Sequence, residues 1–202
     1  MILYHLDRDN SFPREKDKQL IKLMEIKNID EVKIEFSKKY IHGISNLGYK
    51  YLSFFDEDYC SMKDTYENFR IYTIEYIFEM VRTLYFSNLP SRFTSLFACK
   101  TKDEIKRWYD VLVNDEKNFP NISIKIISTD RKTLTCDTYW RDGIQITYND
   151  SSVFSPFAYQ EYATNYWRGI KSNTPRMEVL CELPVTVIDS IPISDFLNDN
   201  TY

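Results

Sequence analysis

The stretch PSRFTSLFACKTKDEIKRW at residues 90–108 decides the fold class, because it places a strand directly before a helix. Within it, TSLFAC at 94–99 is a short and mostly apolar run bounded by polar residues, as in a buried strand. Thr101 and Glu104 have the spacing of a capping box, in which each side chain pairs with the other residue's backbone N–H. We therefore predict a strand that leads into a helix.

Further helices are predicted mainly in the first half of the chain. Apolar residues recur at helical intervals from residue 16 to about 40, which indicates two short helices with a break near 28–30. A second capping box precedes an apolar stripe that predicts a helix over 65–86. The stripe comprises Phe69, Tyr72, Tyr76, Met80 and Leu84. Ser155–Pro156 begins a shorter helix.

Strands dominate the second half. ISIKII (122–127), KTLTCDTYW (132–140), GIQITY (143–148) and MEVLCEL (177–183) are rich in β-branched and aromatic residues, and ILYHL (2–6) adds a strand at the start. Asp142–Gly143 predicts a hairpin turn, and the tail from residue 193 is expected to pack loosely. We predict one α+β domain over residues 1–202, with antiparallel strands.

Composition excludes several classes of protein. A hydrophobic fraction of 43% is enough for a core, which excludes disorder of the whole chain. The four glycines are too few for the glycine clusters with which a P-loop or a Rossmann turn binds phosphate. The chain also contains no CxxC or HExxH, the motifs of zinc sites, and no GxSxG, the motif of a serine nucleophile. Because these motifs are missing, we expect no metal site. The net charge of −4 argues against nonspecific coating of nucleic acid, so we expect at most a local nucleic-acid contact.

The sequence also predicts a cytoplasmic protein. No apolar run approaches the roughly 20 residues that cross a bilayer, and the start MILYHLDRDN lacks the apolar stretch of a signal peptide. The four cysteines are widely separated, as expected for reduced thiols.

Three segments carry candidate site residues, and the first contains His5. An imidazole at a strand end can be held through one ring nitrogen while the other contacts a hydroxyl or carbonyl of a ligand. The alternative is a half-buried structural histidine.

The second segment places Ser91, Arg92 and Ser95 at the entry of the strand at 94–99. Arginine can form two parallel bonds to phosphate, so Arg92 is a candidate pyrophosphate anchor, and a surface salt bridge is the alternative. Arg82, three residues after Glu79, is expected to pair with it.

The third segment is the strand at 177–183, where alternation puts Glu178 and Glu182 on one face. A carboxylate in a cleft can stabilise positive charge that develops as a glycosidic C–N bond breaks. The alternative is that both lie on the solvent face of an edge strand. Among the aromatic residues, Trp167 is a candidate for the lining of a cleft, with core packing as its alternative.

Taken in order, LYHL, SRFTSLFA and MEVL resemble the three signature strands of the ADP-ribosyltransferase superfamily, in the branch of diphtheria toxin and the poly(ADP-ribose) polymerases. VRTLYFSNLPSRFTSLFAC and YATNYWRG are most similar to a bacterial domain family of unknown function placed in that superfamily. The first and last segments also resemble toxins that ADP-ribosylate DNA in toxin–antitoxin systems. The resemblance spans residues 3 to about 188.

This resemblance implies a split pair of curved antiparallel sheets that cradle NAD+, with His5 on the nicotinamide-side ribose and Glu178 as the catalytic glutamate. Arg92 completes the expected catalytic set. Ser91, Arg92, Phe93, Ser95 and Trp167 would join His5 in binding NAD+. Leu96 stands where the polymerase-like enzymes have a stacking tyrosine, so Phe93 or Phe97 is left to supply the ring. Glu182 remains an alternative to Glu178.

The expected function is mono-ADP-ribosylation of a nucleic acid, RNA rather than DNA, by a bacterial toxin or phage-defence effector that an antitoxin protein silences. Local basic residues could meet phosphates, with solvated side chains as the alternative: Arg92, Lys100, Lys102, Lys106, Arg107, Arg168, Lys171 and Arg176. Alternative functions are ADP-ribosylation of a protein, NAD glycohydrolysis, or a module that binds NAD+ or ADP-ribose without catalysis.

Overall fold

The computed structural model describes residues 1–8, 19–23, 38–52, 62–115, 122–144 and 156–198, and within them seven strands and six helices. The strands are β1 (Ile2–Asp7), β2 (Gln19–Ile21), β3 (Ser95–Ala98), β4 (Ser123–Ser128), β5 (Thr133–Asp137), β6 (Met177–Glu182) and β7 (Val185–Pro192). The helices are α1 (Asn46–Leu52), α2 (Met62–Tyr85), α3 (Lys102–Asp115), α4 (Tyr139–Asp142), α5 (Pro156–Trp167) and α6 (Ile193–Asn198). The α+β class is therefore confirmed.

The strands form two antiparallel sheets. The first has four strands in the order β1-β4-β7-β2, and the second has three in the order β3-β6-β5. One isolated bridge joins them in the described part of the chain, where Tyr4 and Cys99 exchange backbone hydrogen bonds of 2.9 and 2.7 Å. Strands β1, β3 and β6, which carry the three candidate segments, are consequently neighbours.

The two sheets pack against each other through an apolar core. Leu3 and Ile127 of the four-stranded sheet meet Leu96, Val179 and Cys181 of the three-stranded sheet, and we call this the inter-sheet face. Because successive side chains of a strand alternate between its two faces, the residues that lie between these positions in each strand point away from the inter-sheet face.

Helices cover the opposite faces of both sheets. Phe78 of α2 and Tyr166 of α5 pack with Leu180 of β6 on what we call the helix-covered face of the three-stranded sheet. Ile105 of α3 and Phe196 of α6 pack on the outer face of the four-stranded sheet. Each sheet therefore has both of its faces in contact with other elements.

Several local predictions are corrected by long-range contacts. Gln19–Ile21 is a strand paired with β7, not part of a helix; residues 9–18 and 24–37 lie outside the described residues. The tail is not loose, because Phe196 of α6 is fully buried against the ring of Tyr4 at 5.3 Å.

The hairpin predicted at Asp142–Gly143 is replaced by the single helical turn α4. Asp142 N–H donates to Thr138 O, and Gly143 N–H donates to Tyr139 O. Gly143 has φ −68°, so it does not adopt the left-handed conformation that a type I′ hairpin turn needs. Residues 145–148 of the predicted second strand lie outside the described residues.

The helix predicted over 65–86 is confirmed as α2, although its buried stripe differs in part. Met80 and Leu84 are 55% and 65% exposed, whereas Glu75 and Glu79 are buried. Charged residues at i and i+4 therefore face the core. Glu79 can be buried because it pairs with Arg82, as predicted. Arg82 Nη2 lies 2.8 Å from Glu79 Oε1.

Candidate active site around Glu178

Glu178 lies near the start of the central strand β6, on the helix-covered face and opposite Cys136 of β5. One of its oxygens, Oε1, accepts hydrogen bonds from Tyr166 Oη at 2.5 Å and from Arg92 Nη1. The other oxygen, Oε2, has no hydrogen-bond partner among the described residues, while 6% of the side chain stays exposed. The carboxylate is thus held at one oxygen and left open at the other.

Arg92 is buried beside this carboxylate. Its Nε and Nη2 donate to Glu75 at 2.6 and 3.0 Å in a bidentate pair, and its Nη1 also donates to Tyr166. The guanidinium stacks at 4.6 Å from the Phe97 ring. Burial opposes the charge of Arg92, but Glu178 and Glu75 outweigh it and raise the pKa of Arg92 well above its ordinary value.

The predicted roles of Arg92 are therefore corrected. A phosphate anchor needs free N–H groups, but four donor contacts of Arg92 go to protein groups in this structure. The surface salt bridge is also wrong, because the arginine is only 2% exposed. Arg92 instead joins α2 to β6.

Glu75 of α2 extends the cluster toward the surface. It also accepts a bond from Arg141 Nε at 2.7 Å, and Arg141 and Arg176 both pair with Asp142. Burial opposes ionisation of Glu75, yet the two arginines lower its pKa to about 2. Glu75 is consequently an anion at any pH near neutrality. We call Glu75, Arg92, Tyr166 and Glu178 the Glu178 cluster.

His5 belongs to a different group of polar residues. It lies two residues after Leu3, so alternation places it on the inter-sheet face of β1. Its Nδ1 is 2.6 Å from Phe97 O and must donate, since a carbonyl only accepts, which leaves Nε2 as the unprotonated nitrogen of the neutral ring. Burial lowers the pKa of His5, and the Phe97 carbonyl and the Asp7 charge oppose that effect without cancelling it.

A buried lysine lies directly across from His5 in the strand register. Lys125 of β4 is fully buried and donates to Ser190 Oγ at 2.8 Å, with Asp7 Oδ2 at 3.5 Å. Ser123 Oγ, on the same face, is buried without a hydrogen-bond partner among the described residues. We call His5, Asp7, Ser123, Lys125 and Ser190 the Lys125 cluster.

The other predicted NAD-binding residues divide into core and turn positions. Phe93 is fully buried among Tyr40, Tyr51 and neighbouring rings, and Trp167 is 1% exposed with its Nε1 donating to Phe78 O at 2.8 Å. Both rings are core residues here, and neither presents a face to a cleft.

The two serines differ from each other. Ser91 Oγ accepts the Phe93 N–H at 3.1 Å and so stabilises the turn before β3. Ser95 is 1% exposed, and its Oγ has no hydrogen-bond partner within the described residues. Ser95 lies opposite Glu182 in the strand register. The Ser95 hydroxyl is therefore a buried polar group whose hydrogen-bonding capacity the described residues leave unused.

The structure thus brings Arg92 and Glu178 into direct contact and keeps His5 apart from both. No hydrogen bond or ion pair joins His5 to Glu178 in the ranges that the structure covers; the connection runs through Phe97, whose carbonyl meets His5 and whose ring meets Arg92. In the same ranges, no group of three His, Cys, Asp or Glu side chains could hold a metal ion.

Sequence reasoning missed Glu75, Tyr166 and Lys125. A signal for Glu75 was present, because Glu75, Glu79 and Arg82 recur at i, i+4 and i+7 on the buried side of α2. No comparable signal marks Tyr166 among sixteen tyrosines.

Residues 3–193 match a family described as a protein of unknown function (DUF2441), and the chain belongs to that family. No curated protein matches the sequence. No helix in the described ranges has the length and apolar character needed to cross a membrane.

Proposed function

We propose that this protein is an NAD+-dependent ADP-ribosyltransferase with Glu178 as its catalytic carboxylate. The observation that carries the proposal is that Oε1 of Glu178 is fixed by Arg92 and Tyr166 while Oε2 has no hydrogen-bond partner among the described residues. The two antiparallel sheets and the adjacency of β1, β3 and β6 agree with the split, curved sheets of that superfamily, which we propose as the finer fold.

The chemistry requires one negative group near the reacting sugar. The glycosidic C–N bond of NAD+ breaks, nicotinamide leaves with the bonding electron pair, and the ribose carbon gains positive charge before the acceptor binds to it and loses a proton. A carboxylate held in a site with little water stabilises that cation strongly, because the low dielectric weakens screening. Glu178 supplies such a group.

In this proposal His5 keeps the ribose-binding role that the resemblance implies. Its bond to Phe97 O fixes the ring tautomer, with the proton on Nδ1. The pyrophosphate is assigned to a residue other than Arg92, because that guanidinium is already bonded to two carboxylates.

We propose a nucleic acid, and RNA in particular, as the acceptor. Of the basic side chains in the candidate set, five are exposed: Lys100, Lys106, Arg107, Arg168 and Lys171. Arg92 is buried and Arg176 is paired with Asp142, so these two do not contribute.

The test is transfer of label from NAD+ in a bacterial lysate, followed by separate digestion with nuclease and protease. We expect nuclease-sensitive label, and a loss of roughly 100-fold or more in rate for Glu178→Gln. Glu182→Gln is the matched control and should stay near the unmodified rate. Protease-sensitive label would move the acceptor to protein, free ADP-ribose alone would indicate NAD glycohydrolysis, and absence of any NAD+ consumption would contradict the enzyme.

A second candidate function is a module that binds NAD+ or ADP-ribose without catalysis. It is favoured by the burial of Glu178, which is 5% exposed and paired with Arg92. Calorimetric binding of NAD+ with no turnover over many hours would select this candidate.

A further inference from the structure

We infer that Tyr166 and Glu75 are positioning residues that orient Glu178 for catalysis, Glu75 acting through Arg92. This inference rests on the proposed function and assigns to the same site two residues that do not touch the substrate.

The four members of the Glu178 cluster come from four separate parts of the fold. Glu75 lies on α2, Arg92 precedes β3, Tyr166 lies near the end of α5, and Glu178 lies on β6. All four are 5% exposed or less. Polar groups at this depth are costly unless each one is satisfied, so their mutual bonds favour one arrangement.

Tyr166 determines the direction of one hydrogen bond. Its hydroxyl accepts from Arg92 Nη1, so its single proton is left to donate to Glu178 Oε1 at 2.5 Å. Burial, partly opposed by Arg92, raises the pKa of Tyr166 well above its ordinary value, so the hydroxyl keeps its proton. Glu178 Oε1 is thus occupied by two donors.

Glu75 determines the plane of the guanidinium. Its two oxygens take Nε and Nη2 of Arg92 as a bidentate pair, which a planar guanidinium forms in one orientation only. Nη1 then points to Glu178 and Tyr166. Because Oε1 is fixed by this arrangement, Oε2 is the oxygen that meets the ribose cation.

The experiment uses Tyr166→Phe and Glu75→Gln, with Tyr162→Phe as the control. Tyr162 lies one helical turn earlier on α5 and contacts the Trp140 ring at 5.7 Å, and no hydrogen bond of its hydroxyl is present among the described residues. We expect kcat for NAD+ consumption to fall by roughly 10- to 100-fold in both test variants, with KM for NAD+ within about two-fold. A purely structural role would instead lower the folded fraction and leave kcat per folded molecule unchanged.

A second readout is independent of activity. In protein labelled with ¹³C at the glutamate carboxyl carbon, the resonance of Glu178 is the one that Glu178→Gln removes. We expect it to shift in Tyr166→Phe and Glu75→Gln and to stay in place in Tyr162→Phe.

An unmoved resonance in both test variants, or a moved resonance with unchanged kcat, overturns the inference. If unmodified protein consumes no NAD+, the proposed function fails and the catalytic role of the two residues fails with it. If the Glu178 resonance still shifts in the two test variants in that case, the contacts within the Glu178 cluster are correct and only the proposed function has failed.

Discussion

Among the places where the described residues bury charge, the Glu178 cluster and the Lys125 cluster differ in how completely their groups are satisfied. In the Glu178 cluster, a guanidinium contacts two carboxylates and a phenol, with bonds of 2.6 and 3.0 Å to Glu75. In the Lys125 cluster, an ammonium bonds one serine at 2.8 Å and is 3.5 Å from one carboxylate. Arginine offers five donors in a fixed fork and lysine three on a flexible stem. The groups of the Glu178 cluster are therefore held in one geometry, whereas those of the Lys125 cluster are held more loosely.

The largest difference is expected on removal of the central cation of the first cluster. Arg92→Met leaves Glu178 without its ion pair and Glu75 with only Arg141, and we expect a loss of about 3 to 5 kcal/mol in the free energy of unfolding. Urea denaturation measures it. Arg92→Lys should lose less, because the charge remains while the bidentate geometry does not. A loss below about 1 kcal/mol in Arg92→Met would show that the cluster contributes little.

Acid should weaken the first cluster in a defined pH window. The pKa of Glu75 is lowered from 4.5 to about 2, so its stabilisation is complete above pH 4.5 and is lost as the pH falls toward 2. The contribution is about 3 kcal/mol by linkage. Denaturant titrations between pH 6 and pH 2 should show this slope in the unmodified protein and a flatter one in Glu75→Gln. Equal slopes would mean that Glu75 is not the group that titrates.

The second cluster should tolerate loss of its cation better. Lys125→Met leaves a single carboxylate, Asp7, without its lysine, and we expect a loss of about 2 kcal/mol. Lys132→Met is the control, because Lys132 is exposed, and its loss should stay within about 0.5 kcal/mol. If Lys125→Met proved as costly as Arg92→Met, the contrast between the two clusters would be lost.

The smallest effect is expected for His5, at higher pH. Burial lowers the pKa of His5 below 6.5, so the unfolded chain takes up the proton first as the pH falls. Its stabilisation is therefore present above pH 6.5 and declines below that value. His5→Gln should remove this shallow slope between pH 7 and pH 5 and leave the steeper one below pH 4.5 unchanged. Persistence of the shallow slope in His5→Gln would assign it to another group.

Much of the fold follows from periodicity, since α2, α3, β3 and β6 form where the sequence patterns predict them. Patterns within a short window do not detect partners far away in the chain, and Gln19–Ile21 is a strand because β7 pairs with it. The same limit explains the site. The alternation of β6 placed Glu178 and Leu180 on one face, but only the fold shows that α2 and α5 cover that face. Arg92 was found as a candidate from its charge, whereas its role depends on Glu75, seventeen residues away.

The positions of the Glu178 cluster along the chain bear on biosynthesis. Its members span residues 75 to 178, and Glu178 is the last of them along the chain. A nascent chain folds from its N-terminus as it leaves the ribosome. A product that terminates between residues 167 and 177 therefore contains Glu75, Arg92 and Tyr166 but lacks the carboxylate that they surround, so it has no assembled site.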